Sequence, residues 1–203
     1  MSRALGRLKP EQCVFLICDV QEKFAPHIHK FGAVVTGAKR LLATAKALEI
    51  PVIVTEQYPK GLGHTVQELT QALEGVTSTV VEKSEFTMIT EQVKTALGGP
   101  YASRKSVVIV GLEAHVCVQQ TTLDLIEMGY GVHLCVDAIS SQQPTDRAAG
   151  LHRADRAGSY LTSTESIMME LIRGKDHPQF KTISGVLKTI KFEDPLSFPV
   201  SNM

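Results

Sequence analysis

Short continuous apolar runs alternate along the chain with longer stretches whose apolar residues recur every three or four positions. The first run, Cys13-Val14-Phe15-Leu16-Ile17-Cys18, stops at Asp19. Its length and β-branched content predict a strand covered on both faces, because a half-exposed strand would alternate apolar with polar residues. Phe31, Val34, Val35, Ala38, Leu41, Leu42, Ala45 and Leu48 then mark one face of a helix. Pro51 ends it, and Val52-Ile53-Val54 predicts a second strand. The alternation continues with a helix near 64–73, a strand at 78–82, a helix at 88–98 and a strand at 107–110. A helix over 117–128, a strand at 132–136, a helix near 144–157, a strand near 159–162 and a helix over 164–173 follow. Strands alternating with helices imply right-handed βαβ units. The expected fold is therefore α/β: a three-layer α/β/α protein with a doubly wound, parallel, six-stranded sheet. Residues 1–174 are read as one domain. The tail over 175–203, with Pro178, Pro195 and Pro199, is read as a C-terminal extension packed on that domain, with a short helix near 180–190.

This architecture says where chemistry belongs. Open α/β sheets bind ligands beyond the carboxyl ends of their strands, near the point where strand order reverses. The residues at those ends are Asp19, Thr55-Glu56-Gln57-Tyr58, Lys83, the segment from Gly111 to Cys117, and Asp137. No GxGxxG or GxxxxGK[ST] follows any strand, so neither a dinucleotide nor a P-loop phosphate site is expected.

Composition narrows the class. The chain has 203 residues, 21 Lys+Arg against 21 Asp+Glu and no net charge, which counts against a partner held by a general basic field such as nucleic acid. Aromatics are 5% and tryptophan is absent, which weakens base stacking. No apolar stretch reaches the ~18–20 residues of a membrane span, and the N-terminus has no secretory core. Cys13, Cys18, Cys117 and Cys135 show no CxxC spacing and are read as free thiols of a cytoplasmic protein. The basic start, Arg3, Arg7 and Lys9, leaves a nuclear or mitochondrial destination open.

Cys117 opens a helical pattern, where unpaired N–H groups and the helix dipole favour a thiolate and could hold an oxyanion. Asp19 could serve it as a base, and Lys83 could stabilise the charge. Each has a plainer reading: a small buried hydrophobe, a turn cap and a solvated lysine. His27 and His29 are read as surface histidines rather than metal ligands.

The segments around these residues carry a resemblance. Phe15-Leu16-Ile17-Cys18-Asp19-Val20-Gln21, Glu82-Lys83-Ser84-Glu85-Phe86, Val110-Gly111-Leu112-Glu113-Ala114-His115-Val116-Cys117-Val118 and Val136-Asp137-Ala138 stand in this order at the expected strand ends. Over about residues 12–173 the chain resembles the isochorismatase-like cysteine hydrolases, which include nicotinamidases and N-carbamoylsarcosine amidohydrolases. Thr55 through Gly63 and His177 through Lys181 make it most similar to the eukaryotic isochorismatase domain-containing branch of the second type.

The resemblance implies the isochorismatase-like hydrolase fold and a catalytic set of Asp19, Lys83 and Cys117. It implies an oxyanion hole from the Glu113 and Cys117 N–H groups. It also implies a non-proline cis peptide joining Leu112 to Glu113, which would cost about 3–4 kcal/mol. A homo-oligomer, dimer or tetramer, is implied as well. Two departures shape the expected reaction. Isochorismatases carry glycine where Cys117 stands, and nicotinamidases carry a metal-binding Asp-x-His where this chain has Glu56-Gln57-Tyr58. No metal and no cofactor are therefore expected. Phe24, Glu56, Gln57, Tyr58, Phe86 and His115 are the candidate substrate-side residues. The expected function is hydrolysis of a small amide or ureido C–N bond through a thioester on Cys117. The alternative is a catalytically silent member that acts as a protein-interaction module, and a nuclease is disfavoured by the neutral charge.

Overall fold

The computed structural model describes residues 5–198; Arg3 of the basic start and Pro199 of the tail lie outside the described residues. Among the described residues six strands form one sheet: β1 (Cys13–Cys18), β2 (Val52–Gln57), β3 (Ser78–Lys83), β4 (Ser106–Gly111), β5 (Gly131–Ile139) and β6 (Tyr160–Thr162). Their order is β3-β2-β1-β4-β5-β6, and every neighbouring pair is parallel. The helices are α1 (Phe31–Leu48), α2 (Pro59–Leu62), α3 (Gln67–Ala72), α4 (Glu91–Gly98), α5 (Cys117–Glu127), α6 (Pro144–Ala157), α7 (Thr164–Ile172) and α8 (Phe180–Thr189).

Side chains of a strand alternate between its two faces, and here both faces are covered. Phe15, Ile17, Val52, Val54, Val108 and Val110 pack with Val34, Leu41 and Leu42 of α1, Leu69 of α3 and Leu171 of α7. Val14, Leu16, Ile53, Val107 and Ile109 pack on the other side with Val93 of α4, Val118 and Leu125 of α5, and Leu151 of α6. This explains why β1 reads as an unbroken apolar run. The chain leaves β1 for β2 and β3 on one side and returns to β4 on the other. The strand order therefore reverses between β1 and β4, and a crevice opens at their carboxyl ends.

At that crevice Cys18 pairs with Gly111, whose φ is +122°. A Cβ on Gly111 would lie 2.1 Å from the Cys18 carbonyl oxygen, so only glycine lets the two strand ends close.

Several boundaries differ from the sequence reading for local reasons. Thr65 is held by the Glu56 carboxylate and bridges to Gln21, so α3 begins only at Gln67. Thr90 caps α4, its hydroxyl accepting from the Val93 N–H at 3.3 Å. Asp137 lies inside β5 rather than at its end, and its carboxylate accepts from the Thr164 N–H and hydroxyl at the start of α7. That candidate strand-end residue is thus a helix anchor. The tail belongs to the domain: Ile183 of α8 packs with Met168 and Ile172 of α7. Arg40 of α1 donates to the Ile190 carbonyl at 2.8 Å and stacks over the Phe192 ring.

Candidate active site

Asp19, the residue after β1, takes φ +52°, a conformation aspartate tolerates better than most residues. The turn brings its carboxylate back over the sheet end, fully buried. Oδ2 meets the Lys83 ammonium at 2.7 Å, and both side chains are almost wholly shielded from solvent. Oδ1 accepts from the Thr55 hydroxyl at 2.7 Å. The Cys18 thiol donates to Oδ2 at 3.6 Å, and the Cys117 thiol lies near enough to this carboxylate to favour its charged form. Burial pushes Asp19 above the usual carboxylate range, while Lys83, Thr55 and Cys117 oppose that rise without cancelling it. Burial would by itself lower Lys83, but the facing Cys18, Asp19 and Cys117 groups outweigh it and hold the ammonium charged.

Lys83 ends β3, two strands away from β1, and its direction is fixed by more than Asp19. Its ammonium donates to Gln57 Oε1 at 2.7 Å and to the carbonyls of Phe86 and Glu85 at 3.0 and 3.1 Å. Gln57 is gripped in turn: its N–H donates to Gln21 Oε1 at 2.7 Å, and Gln21 Nε2 donates back to the Gln57 carbonyl at 3.0 Å.

Cys117 is the first residue of α5, directly after an irregular Val116 (φ −121°, ψ −92°), and is 7% exposed. The preceding loop is pinned from several sides. Leu112 N–H donates to the Cys18 carbonyl and Ala114 N–H to the Ser140 carbonyl. The Val116 and Val118 N–H groups both donate to the Glu113 carbonyl. The N–H groups of Glu113, His115 and Cys117 carry no acceptor among the described residues. They are the donors available to an incoming oxygen at the positive end of α5. Gly150 of α6 makes this packing close, since a Cβ there would lie 2.5 Å from the Ala114 carbonyl oxygen.

The expected cis bond between Leu112 and Glu113 is corrected: every peptide bond among the described residues is trans. The Leu112 and Ala114 N–H bonds hold the backbone on either side of Glu113, and Gly111 turns with a positive φ just before it.

Asp19, Lys83 and Cys117 therefore meet, while the candidate substrate-side residues divide. Glu56 is buried and spent on Thr65 and His64, with bonds of 2.7, 2.7 and 2.8 Å. Gln57 faces Lys83 rather than open space. His115 Nδ1 lies 3.0 Å from the Ser141 hydroxyl, and the Glu113 carboxylate accepts from the Gln142 N–H. Phe24 packs against the core. Tyr58 and Phe86 stand exposed, at 59% and 54%. A cleft of about 490 Å³ opens on the outer side of β3, bordered by Tyr58, Lys60, Glu85 and Thr90; Cys117 and Asp19 do not line it.

Gln21 and Cys18 were not singled out by their sequence positions, and Thr55 was placed at a strand end without a role. Thr55 could have been found as the neighbour of Asp19 in parallel register, because Cys18 pairs with Thr55. No group of three or more His, Cys, Asp or Glu side chains among the described residues is placed to hold a metal ion. No helix among them is long and apolar enough to cross a membrane.

Residues 13–166 match the Isochorismatase domain family. The chain is 43% identical over 186 residues to isochorismatase domain-containing protein 2 of Danio rerio, covering 90% of each. It superposes on the MAR1 ribonuclease of Caenorhabditis elegans with a TM-score of 0.88 and 39% identity, over 97% of this chain and 100% of that one. YcaC of Pseudomonas aeruginosa, solved with hexane-2,5-diol and covalent acrylamide, matches with a TM-score of 0.80 and 25% identity, over 91% and 93% of the two chains. With its six-stranded parallel sheet and a domain match across most of its length, the chain belongs to the isochorismatase family.

Proposed function

We propose that this protein is a metal-independent cysteine hydrolase that opens a C–N bond of a small amide or ureido compound through a thioester on Cys117. The observation that carries this reading is the convergence of the Cys117 thiol and the Lys83 ammonium on one buried Asp19 carboxylate. A carboxylate raised by burial is a competent base for a thiol. Asp19 takes the thiol proton, and Sγ attacks the substrate carbon. The oxygen that gains charge faces the N–H groups at the head of α5. The amine leaves with the proton that Asp19 returns. Water, deprotonated by Asp19, then cleaves the thioester and restores the thiol. Throughout, Lys83 faces one negative charge, carried first by Asp19 and then by the thiolate. The ammonium thus allows the proton transfer without any net change in buried charge. The covalent acrylamide in the YcaC relative is consistent with this reading, since acrylamide adds to nucleophiles such as thiolates.

A second reading comes from the C. elegans relative, which is named a ribonuclease. The neutral composition of the present chain weighs against it, because phosphate backbones are held by basic surfaces. One experiment separates the two. Wild type and Cys117→Ser are assayed on a panel of small amides, ureido acids, isochorismate and single-stranded RNA, with intact-mass detection of an acyl adduct. An adduct on wild type only, with amide turnover lower by about three orders of magnitude in the variant, is the expected result. RNA cleavage equal in both proteins would overturn the hydrolase reading.

A further inference from the structure

The mechanism uses one of two thiols that meet at Asp19. The other, Cys18, ends β1 and has no solvent exposure. Its sulfur lies 3.6 Å from Asp19 Oδ2, and the Cys117 thiol is near enough to act on it. Both side chains belong to the same apolar cluster, on the α5 side of the sheet. A bystander cysteine in a strand needs only apolar neighbours. Cys18 instead touches the base and neighbours the nucleophile, and Cys13 and Cys135 have no such neighbours among the described residues. Burial and the neighbouring Cys117 and Asp19 groups keep Cys18 a thiol, so it does not compete with Cys117 in catalysis.

We propose that Cys18 is the resolving thiol of a reversible oxidative modification at this site, in which hydrogen peroxide oxidises Cys117 and a Cys18–Cys117 disulfide forms. This deepens the reading of Cys117 as the reactive thiol. The Cys117 thiolate attacks one peroxide oxygen and the O–O bond breaks. The displaced hydroxide takes the Cys117 proton held by Asp19 and leaves as water, Asp19 is a carboxylate again, and Cys117 becomes a sulfenic acid. The Cys18 thiol gives its proton to Asp19 and attacks the Cys117 sulfur. The S–O bond breaks, and the departing hydroxide collects the proton from Asp19 as a second water. Two thiols and one peroxide have become one disulfide and two waters. Without Cys18 the sulfenic acid would meet further peroxide and pass to the sulfinic acid, which ordinary thiols do not reduce. The disulfide removes the nucleophile and preserves it: the protein is silenced under oxidant and recovered by a dithiol.

The test treats wild type, Cys18→Ala and Cys18→Val with hydrogen peroxide, followed by intact mass and non-reducing peptide mapping. The expected wild-type product has lost two hydrogens, contains a linked peptide pair with Cys18 and Cys117, and regains its iodoacetamide-reactive thiol after dithiothreitol. The expected variant product has gained two or three oxygens at Cys117 and does not recover. Far-ultraviolet circular dichroism selects the variant that keeps the native fold, since alanine leaves a small gap at Cys18 and valine fills it. Oxygen addition at Cys117 in wild type without a linked pair, at the rate seen in the folded variant, would overturn the proposal. The mass readout needs no substrate. A protein that forms the disulfide but no acyl adduct would sink the hydrolase reading alone, and the reverse outcome would sink this one alone.

Discussion

Lys83 carries three N–H donors and meets four oxygens within 3.1 Å: Asp19 Oδ2, Gln57 Oε1 and the carbonyls of Glu85 and Phe86. An ammonium so fully engaged has no donor left for a substrate, so its part is that of a fixed charge. This makes Asp19 the residue whose neutralisation costs most. Asp19→Asn leaves the buried ammonium facing an amide, and about 3–5 kcal/mol of stability should be lost. Urea unfolding of the variant beside wild type reads that loss; a change below about 1 kcal/mol contradicts the buried-pair description. Glu56 and His64 give a pH signature at the same site. Burial raises Glu56, yet its bonds to Thr65 and His64 outweigh that and leave it below its ordinary 4.5. His64 is held above its ordinary 6.5 by its bond to Glu56 and by the charges of Glu56, Glu22 and Glu82. The Glu56 contribution to stability is present above 4.5 and lost as pH falls through its lowered value. The His64 contribution is present below 6.5 and lost as pH rises through its raised value. Chemical denaturation across pH should therefore show a stability component lying between these two limits. In His64→Ala the alkaline limb should disappear, while the acid limb persists in reduced form on the Thr65 bonds to Glu56.

At the scale of elements, the sheet and its helices were legible because buried strands and amphipathic helices write different periods into the chain. β1 and α1 begin and end where the pattern of 13–18 and 31–48 says they should. What the pattern missed was set by partners distant in sequence. Nothing local shows that Thr65 is captured by Glu56, or that β5 continues to Ile139 beneath α7. The site was legible in part for the same reason. Asp19, Lys83 and Cys117 lie at strand or helix ends, which periodicity locates. Gln57 reads as a substrate-side residue until the sheet places it 2.7 Å from Lys83. Two glycines carry the element packing that aims Cys117. Gly150→Ala should push α6 away from Ala114 and destabilise the protein by about 1–3 kcal/mol. Its iodoacetamide reaction at Cys117 should slow even in the folded fraction, which timed alkylation with peptide mapping would report. Thr90→Ala, which removes the α4 cap, should cost about 1 kcal/mol and leave that alkylation rate unchanged.

The molecule as a whole is tied together by its tail. α8 covers Met168 and Ile172, Arg40 holds the Ile190 carbonyl, and Arg147 donates to the Ser197 carbonyl at 2.9 Å. Removing residues from 178 onward uncovers that apolar patch and takes one carbonyl acceptor from each of two buried guanidinium groups. The truncated chain should melt at least several degrees lower or be recovered only as aggregate, which differential scanning fluorimetry and solubility after lysis would check. The zero net charge sets no barrier to self-association, and we propose a dimer or tetramer, to be weighed by analytical ultracentrifugation. The order of the strands has a further consequence, for the timing of reactivity during folding. Asp19 rides on β1, Lys83 on the edge strand β3, and Cys117 on the helix after β4, so no single βαβ unit holds the reactive group. A half-folded chain has an ordinary thiol and no base to arm it. Fast, selective alkylation of Cys117 should therefore emerge in refolding only with the last cooperative step. A growing or misfolded chain then carries no armed nucleophile into its surroundings.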